Sequence, residues 1–200
     1  MFDNLYLIRE QDDAESFVRQ QELLKSIKKD ACADDIIKLA ILQINSVNHD
    51  WETARDILIS YLDKFDDFNY LAIGTYVADF VYPVFSGNMF YPKLVSNYER
   101  YSDKEKAIVL YLSVFMKTHP GDKINARELI ELLDRAIILD SQSPSFYDLR
   151  ALLSKKKTDQ TIADQMRVVL ESREWKAKED SLDPKYFIDL YILHKYEYIV

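Results

Sequence analysis

The chain has 200 residues, 48% of them hydrophobic, with only three glycines and five prolines. That is enough apolar mass for one folded domain with a sizeable core, and it leaves few sharp turns. A formal net charge of −8 and a pI near 5.0 argue against a nucleic-acid ligand, because gripping a phosphate backbone takes clustered Lys and Arg.

Apolar residues recur at three- and four-residue spacing along nearly the whole chain, which predicts helices throughout. The first is expected from about Asp12 to Lys29 and the second from about Ala33 to Asn45. Trp51, Ala54, Leu58, Tyr61 and Phe65 then form one stripe, with Asp50 placed to cap the helix N-terminus. Asp66 and Asp67 mark the stop of that helix and the start of another. The segment from Tyr70 to Val81 is apolar on nearly all sides, so it is expected to be the buried central helix. Gly74 costs that helix about 1 kcal/mol in propensity, which implies the close approach of a neighbouring helix.

Pro83 ends the central helix, and Ser86, Gly87 and Asn88 read as a loop. Helices follow at about 103–118 and 123–139, separated by the turn His119-Pro120-Gly121-Asp122. In the second, Leu129, Leu133, Ala136 and Ile137 form the core stripe, with Arg127–Glu131 and Glu131–Arg135 as ion pairs on the outer face. Ser143 and Pro144 are placed as N-cap and first helical residue of the next helix. Thr158 and Asp159 start another, reaching about Trp175, and Asp183 and Pro184 start the last. The expectation is a single all-helical domain over 1–200, about ten helices folded as antiparallel hairpins.

Two stretches carry a further pattern. Asp50-Trp51-Glu52-Thr53-Ala54 resembles the start of a second repeat helix in the tetratricopeptide family, and Tyr70, Ile73, Gly74 and Val77 resemble the first helix of the next unit. Ala136 to Pro144 with Phe146, Leu149 and Leu153, followed by Thr158, Asp159 and Ala163, resembles another junction. The resemblance covers about half the chain. It departs from the family where Pro144 comes late and where Arg150 stands in place of the glycine, and Phe80 to Tyr101 fits no repeat. It implies a stacked array, against which a compact helical bundle is the alternative. It also implies a binding scaffold, because such arrays present a concave surface to partners.

No catalytic or metal signature appears. His49, His119 and His194 have no partner at metal-ligand spacing, and nucleophile-elbow and phosphate-loop motifs are absent. Cys32 is expected to be a buried or semi-buried thiol, and a lone cysteine fits a reducing compartment. The N-terminal MFDNLYLIREQDD lacks the features of a signal peptide, and the longest nearly apolar run, Leu71 to Phe85, is too short to span a membrane. The protein is therefore expected in the cytoplasm, without a membrane partner. Lys155, Lys156 and Lys157 read as a solvated loop or helix end.

Two features point towards a partner. Carboxylates cluster at helix starts: Asp12, Asp13 and Glu15; Asp34 and Asp35; Asp63, Asp66 and Asp67. Aromatic residues crowd the one stretch that breaks the helical pattern, from Phe80 to Tyr101. Tyrosine pairs a large apolar body with a polar tip, which suits interface hot spots. Tyr82, Phe85, Phe90, Tyr91, Tyr98, Asp66 and Asp67 are the expected partner-binding residues. The functional expectation is a non-catalytic protein-binding module that needs no cofactor. Its specific form is an acidic inhibitor of immunity type, holding a toxin or other basic enzyme inactive. The alternatives are a tetratricopeptide-like adaptor that binds a peptide in its groove, and a helical metal-dependent hydrolase whose carboxylates meet only in the fold.

Overall fold

The computed structural model describes residues 31–44, 50–81, 88–118, 125–171 and 182–193. These residues form helices and turns, with no strand among them. The expected helix over 12–29, the three histidines, Tyr82 and Phe85 lie outside the described residues.

Helix α1 spans Ala33–Ile44 and presents a nearly continuous buried face from Ile36 to Ile44. Helix α2, Trp51–Ile59, starts where Asp50 accepts a hydrogen bond from the Thr53 N–H at 2.9 Å, the expected cap. It stops six residues before the expected stripe runs out. Tyr61 and Phe65 stack on each other from the turn beyond it, with ring centroids 6.2 Å apart.

Helix α3, Phe68–Gly74, runs directly into a π-helical stretch, Thr75–Val81. The Thr75 hydroxyl donates to the Leu71 carbonyl at 2.7 Å where the winding changes. Every residue from Tyr70 to Ala78 is buried, so this segment is the central element that its apolar circumference predicted. It packs against α1, α2 and the two elements that follow it. The close approach expected at Gly74 comes from a single ring: Phe90 lies where a Cβ would be, so only glycine fits.

Helix α4, Tyr91–Ser96, is short and leads through a 3₁₀ turn, Tyr98–Arg100, into α5, Asp103–Met116. Ser102 and Glu105 close a reciprocal capping box at the start of α5. Helices α6 (Ala126–Leu139), α7 (Pro144–Ser154) and α8 (Lys157–Glu171) follow, each packing on the one before it. In α6, Leu129, Leu133 and Ala136 are buried as expected and Ile137 half-buried. The Arg127–Glu131 pair forms at 3.1 Å; no Glu131–Arg135 pair does. Ser143 and Pro144 occupy the cap and first helical positions, yet the Ser143 hydroxyl makes no capping bond. Helix α9, Pro184–Phe187, continues as a second π-helical stretch, Ile188–Ile192, and packs back on α1 and α3.

Aromatic rings link the layers. Trp51 meets Tyr76 in the first π-helical stretch and Tyr191 in the second, at 6.4 and 5.9 Å. Phe115 continues the contact from Tyr76 and Phe80 to Tyr111, and Tyr111 reaches Phe146 of α7. Edge-to-face packing of such rings adds to what area burial contributes. Cys32 departs from expectation: its thiol is exposed, since it precedes α1 and lies off the helix's apolar face.

Candidate functional site

The segment that fits no helical repeat is held by one carboxylate. Asp79 sits within the first π-helical stretch and is buried. It accepts the backbone N–H groups of Met89, Phe90 and Tyr91 at 2.8, 2.7 and 2.7 Å. Those donors belong to the entrance of α4, where helical partners are missing, so a buried acid is the natural acceptor. Asp79 thereby pins the chain returning after Val81 against the central helix. The signal was present in the sequence as one acid inside an otherwise apolar run.

This clamp decides the fate of the expected interface aromatics. Phe90 is fully buried, packed on Gly74 and 5.8 Å from Tyr70, so it is a core residue and not a contact for a partner. Tyr91 is half-buried and its hydroxyl is 2.9 Å from the Ser113 hydroxyl of α5. Tyr98 is half-buried beneath the Lys106 ammonium, 5.6 Å from its ring centre.

The carboxylates are arranged differently. Between residues 31 and 67 the chain carries eight acidic residues and three basic ones. Asp34 lies in the first turn of α1, Glu52 and Asp56 on α2, and Asp63, Asp66 and Asp67 in the turn that joins α2 to α3. Lys64 ties this turn to the start of α1 by donating to the Ala31 carbonyl at 3.2 Å. The same ammonium lies over the rings of Tyr61 and Phe65. Lys93 donates to the Leu62 carbonyl at 2.6 Å and stands 3.8 Å from Asp63. Arg55 pairs with Asp56 and Glu52 on its own helix. Arg55, Lys64 and Lys93 are thus engaged by carbonyls, rings and other acids, and among the described residues Asp66 is exposed without a hydrogen bond or ion pair.

Asp67 does two things at once. Its inner oxygen caps α3 by accepting the Tyr70 N–H at 3.0 Å, while the residue as a whole is exposed. Lost hydration at that inner face pushes its pKa up, the Tyr70 N–H opposes this, and the negative charges of Asp34 and Asp66 push it further up. Three carboxylates from two elements therefore share one field. That field reaches Tyr101, which packs edge-on against Phe68 at 5.1 Å. Burial raises the Tyr101 phenol to about 12, with the negative charges of Glu105, Asp66 and Asp67 adding to the rise. An exposed acidic rim in which acids outnumber cations attracts a basic surface and repels an acidic one.

A second charged cluster was not foreseen. Arg150 donates to both oxygens of Asp159 at 3.0 and 2.8 Å and to Asp134 at 2.6 Å, joining α7 to α8 and α6. Its guanidinium lies 5.4 Å from the Tyr147 ring centre. Burial disfavours charge on Arg150, and the two carboxylates outweigh that penalty, so its pKa is raised. Asp148, 3% exposed, pairs with Arg167 and accepts from the Gln160 amide at 2.9 Å. The sequence signal was Arg150 itself, one of the positions where the resemblance to a helical repeat breaks down.

Among the described residues no group of three or more His, Cys, Asp or Glu is arranged to hold a metal ion, and no helix is long and apolar enough to cross a membrane. No protein-family model matches this chain, and neither a curated protein nor a solved structure does.

Proposed function

We propose that the protein is a non-catalytic binding module whose acidic rim receives a basic surface of another protein. The observation that carries this reading is the rim itself: Asp34, Asp66 and Asp67 share one field, and no cation of the described residues pairs with Asp66. Mutual repulsion opposes such a cluster in the isolated molecule, and a basic partner relieves it. Within this class, an inhibitor of immunity type that covers the active site of a toxin or other basic enzyme is the specific form proposed. Charge would then speed encounter, and the half-buried rings of Tyr61, Phe65 and Tyr101 beside the rim would supply slow-release contacts.

The test is affinity capture from the native host with the natural chain and with D34N/D63N/D66N, which spares the capping Asp67. The reading expects a basic partner bound by the first and lost by the second at matched helicity. Equal recovery by both overturns the rim as the contact. A tetratricopeptide-like adaptor is the second reading, favoured by the serial packing of α5, α6, α7 and α8, each on its predecessor. Micromolar binding of extended peptides, without a tight globular partner, would favour it over the first.

A further inference from the structure

The order of packing makes α8 the outermost member of the α5–α8 series, and α7 is the helix it rests on. The joints inside the series are apolar: α6 buries Leu129, Leu133 and Ala136, and α7 buries Phe146 and Leu149. The α7–α8 joint is built from other material. Of the α8 side chains described, Asp159 and Ala163 are buried, and one of these is an acid. Its attachment is a ladder of charge: Asp159 on Arg150, Arg167 on Asp148, and Gln160 bridging Asp148 and Asp164. Desolvating such groups costs much of what their attraction returns, so the ladder fixes position more than it adds stability.

The connection between the two helices carries a second feature. Residues Lys155 and Lys156 alone separate Ser154 from Lys157, and Lys155 holds φ 58 and ψ 26. It is the one non-glycine residue described with a positive φ. A lysine there is strained, because its Cβ crowds the following carbonyl. Its left-handed conformation ends α7 and turns the chain into α8 within two residues.

We infer that α8 is a strap held by charge and hinged at Lys155, able to leave α7 while the rest of the helical core stays folded. The Arg150 and Asp148 face of α7 is what it covers when closed and bares when open. Salt is the natural lever, because an ion pair with part of its surface in water is screened while apolar packing is not.

Amide hydrogen exchange on the full chain at about 0.05 M and about 1 M salt tests this, since the screening length falls from above ~10 Å to ~3 Å across that range. Amides of residues 160–168 are expected to exchange faster than those of 109–115 at both concentrations. High salt is expected to accelerate them by roughly fivefold or more, with little change in α5. The double variant R150M/D159L replaces one of the two ion pairs across the joint by apolar groups, and it is expected to keep α8 docked with the salt response reduced. The inference is overturned if α8 and α5 exchange as one unit at both concentrations, or if the double variant keeps the full salt response.

Discussion

The central helix and the α7–α8 joint solve the same packing problem with opposite chemistry. From Tyr70 to Ala78 the central segment is buried on every side, and its contacts are rings, aliphatics and one fully bonded acid. The α7–α8 joint buries Asp148 and Asp159 and satisfies them with arginines that are 30% and 20% exposed. Apolar packing tolerates no gap and no extra atom, and it is indifferent to salt. A charge ladder tolerates breathing, and its strength depends on the solvent. The first builds a core and the second a joint.

Asp79→Ala strands three N–H donors at the entrance of α4, each costing about 1–3 kcal/mol when buried without an acceptor. Loss of about 3 kcal/mol or more in chemical denaturation is expected, with the largest increase in exchange around residues 89–91. Next comes Gly74→Ala, whose added methyl meets the Phe90 ring. Because Phe90 is itself fully buried, overpacking by about 1–3 kcal/mol is expected, and trimming the ring in G74A/F90L should recover part of it.

At the joint, Arg150→Met leaves Asp159 buried without its partner, whereas R150M/D159L removes both charges. The single variant is expected to be less stable than the double by about 1–3 kcal/mol, read from denaturation midpoints. The opposite order would mean that this joint, too, rests on packing.

Alkali separates the core from the rim in another way. Tyr70 is fully buried and donates to the Leu58 carbonyl, and burial holds its phenol far above the ordinary tyrosine range. Tyr101 is raised to about 12. Both folded-state values exceed the unfolded value near 10, so their contribution is complete below pH ~10 and is lost as pH rises towards the folded values. Absorbance titration of phenolate should show these two rings ionising after the exposed tyrosines, and stability falling above pH ~10. The smallest effect belongs to the rim. Asp66→Asn is expected to change stability by less than about 0.5 kcal/mol, since the group bonds to nothing, while slowing association with a basic partner at low salt.

Much of the local structure could be read from the residues in order. Asp50 before Trp51, Asp67 before Phe68 and Asp183 before Pro184 announced helix starts, and each carboxylate accepts an N–H two or three residues ahead. The stripe of Leu129, Leu133 and Ala136 announced a buried face. The all-round apolar circumference of 70–81 announced the centre, although the π-helical winding from Thr75 left no trace in the pattern. The acidic rim was half legible: Asp66 and Asp67 stood out, while the contribution of Asp34 became visible only once α1 lay beside the turn. The aromatic reading failed where Phe90 turned inward, because spacing cannot distinguish a ring that meets a partner from one that meets a glycine.

The sequence by itself determined that this chain is helical, where many of its helices begin and which faces turn inward. Those facts depend on neighbours three or four positions away, and the α-helical period carries them directly. Tertiary structure alone decided that Asp79 would close the entrance of a helix ten residues on, that Phe90 would fill the space above Gly74, and that Arg150 would gather acids nine and sixteen residues away. Such pairings are set by how helices cross and how far apart their axes lie, and the repeat of apolar residues along one helix holds no record of either.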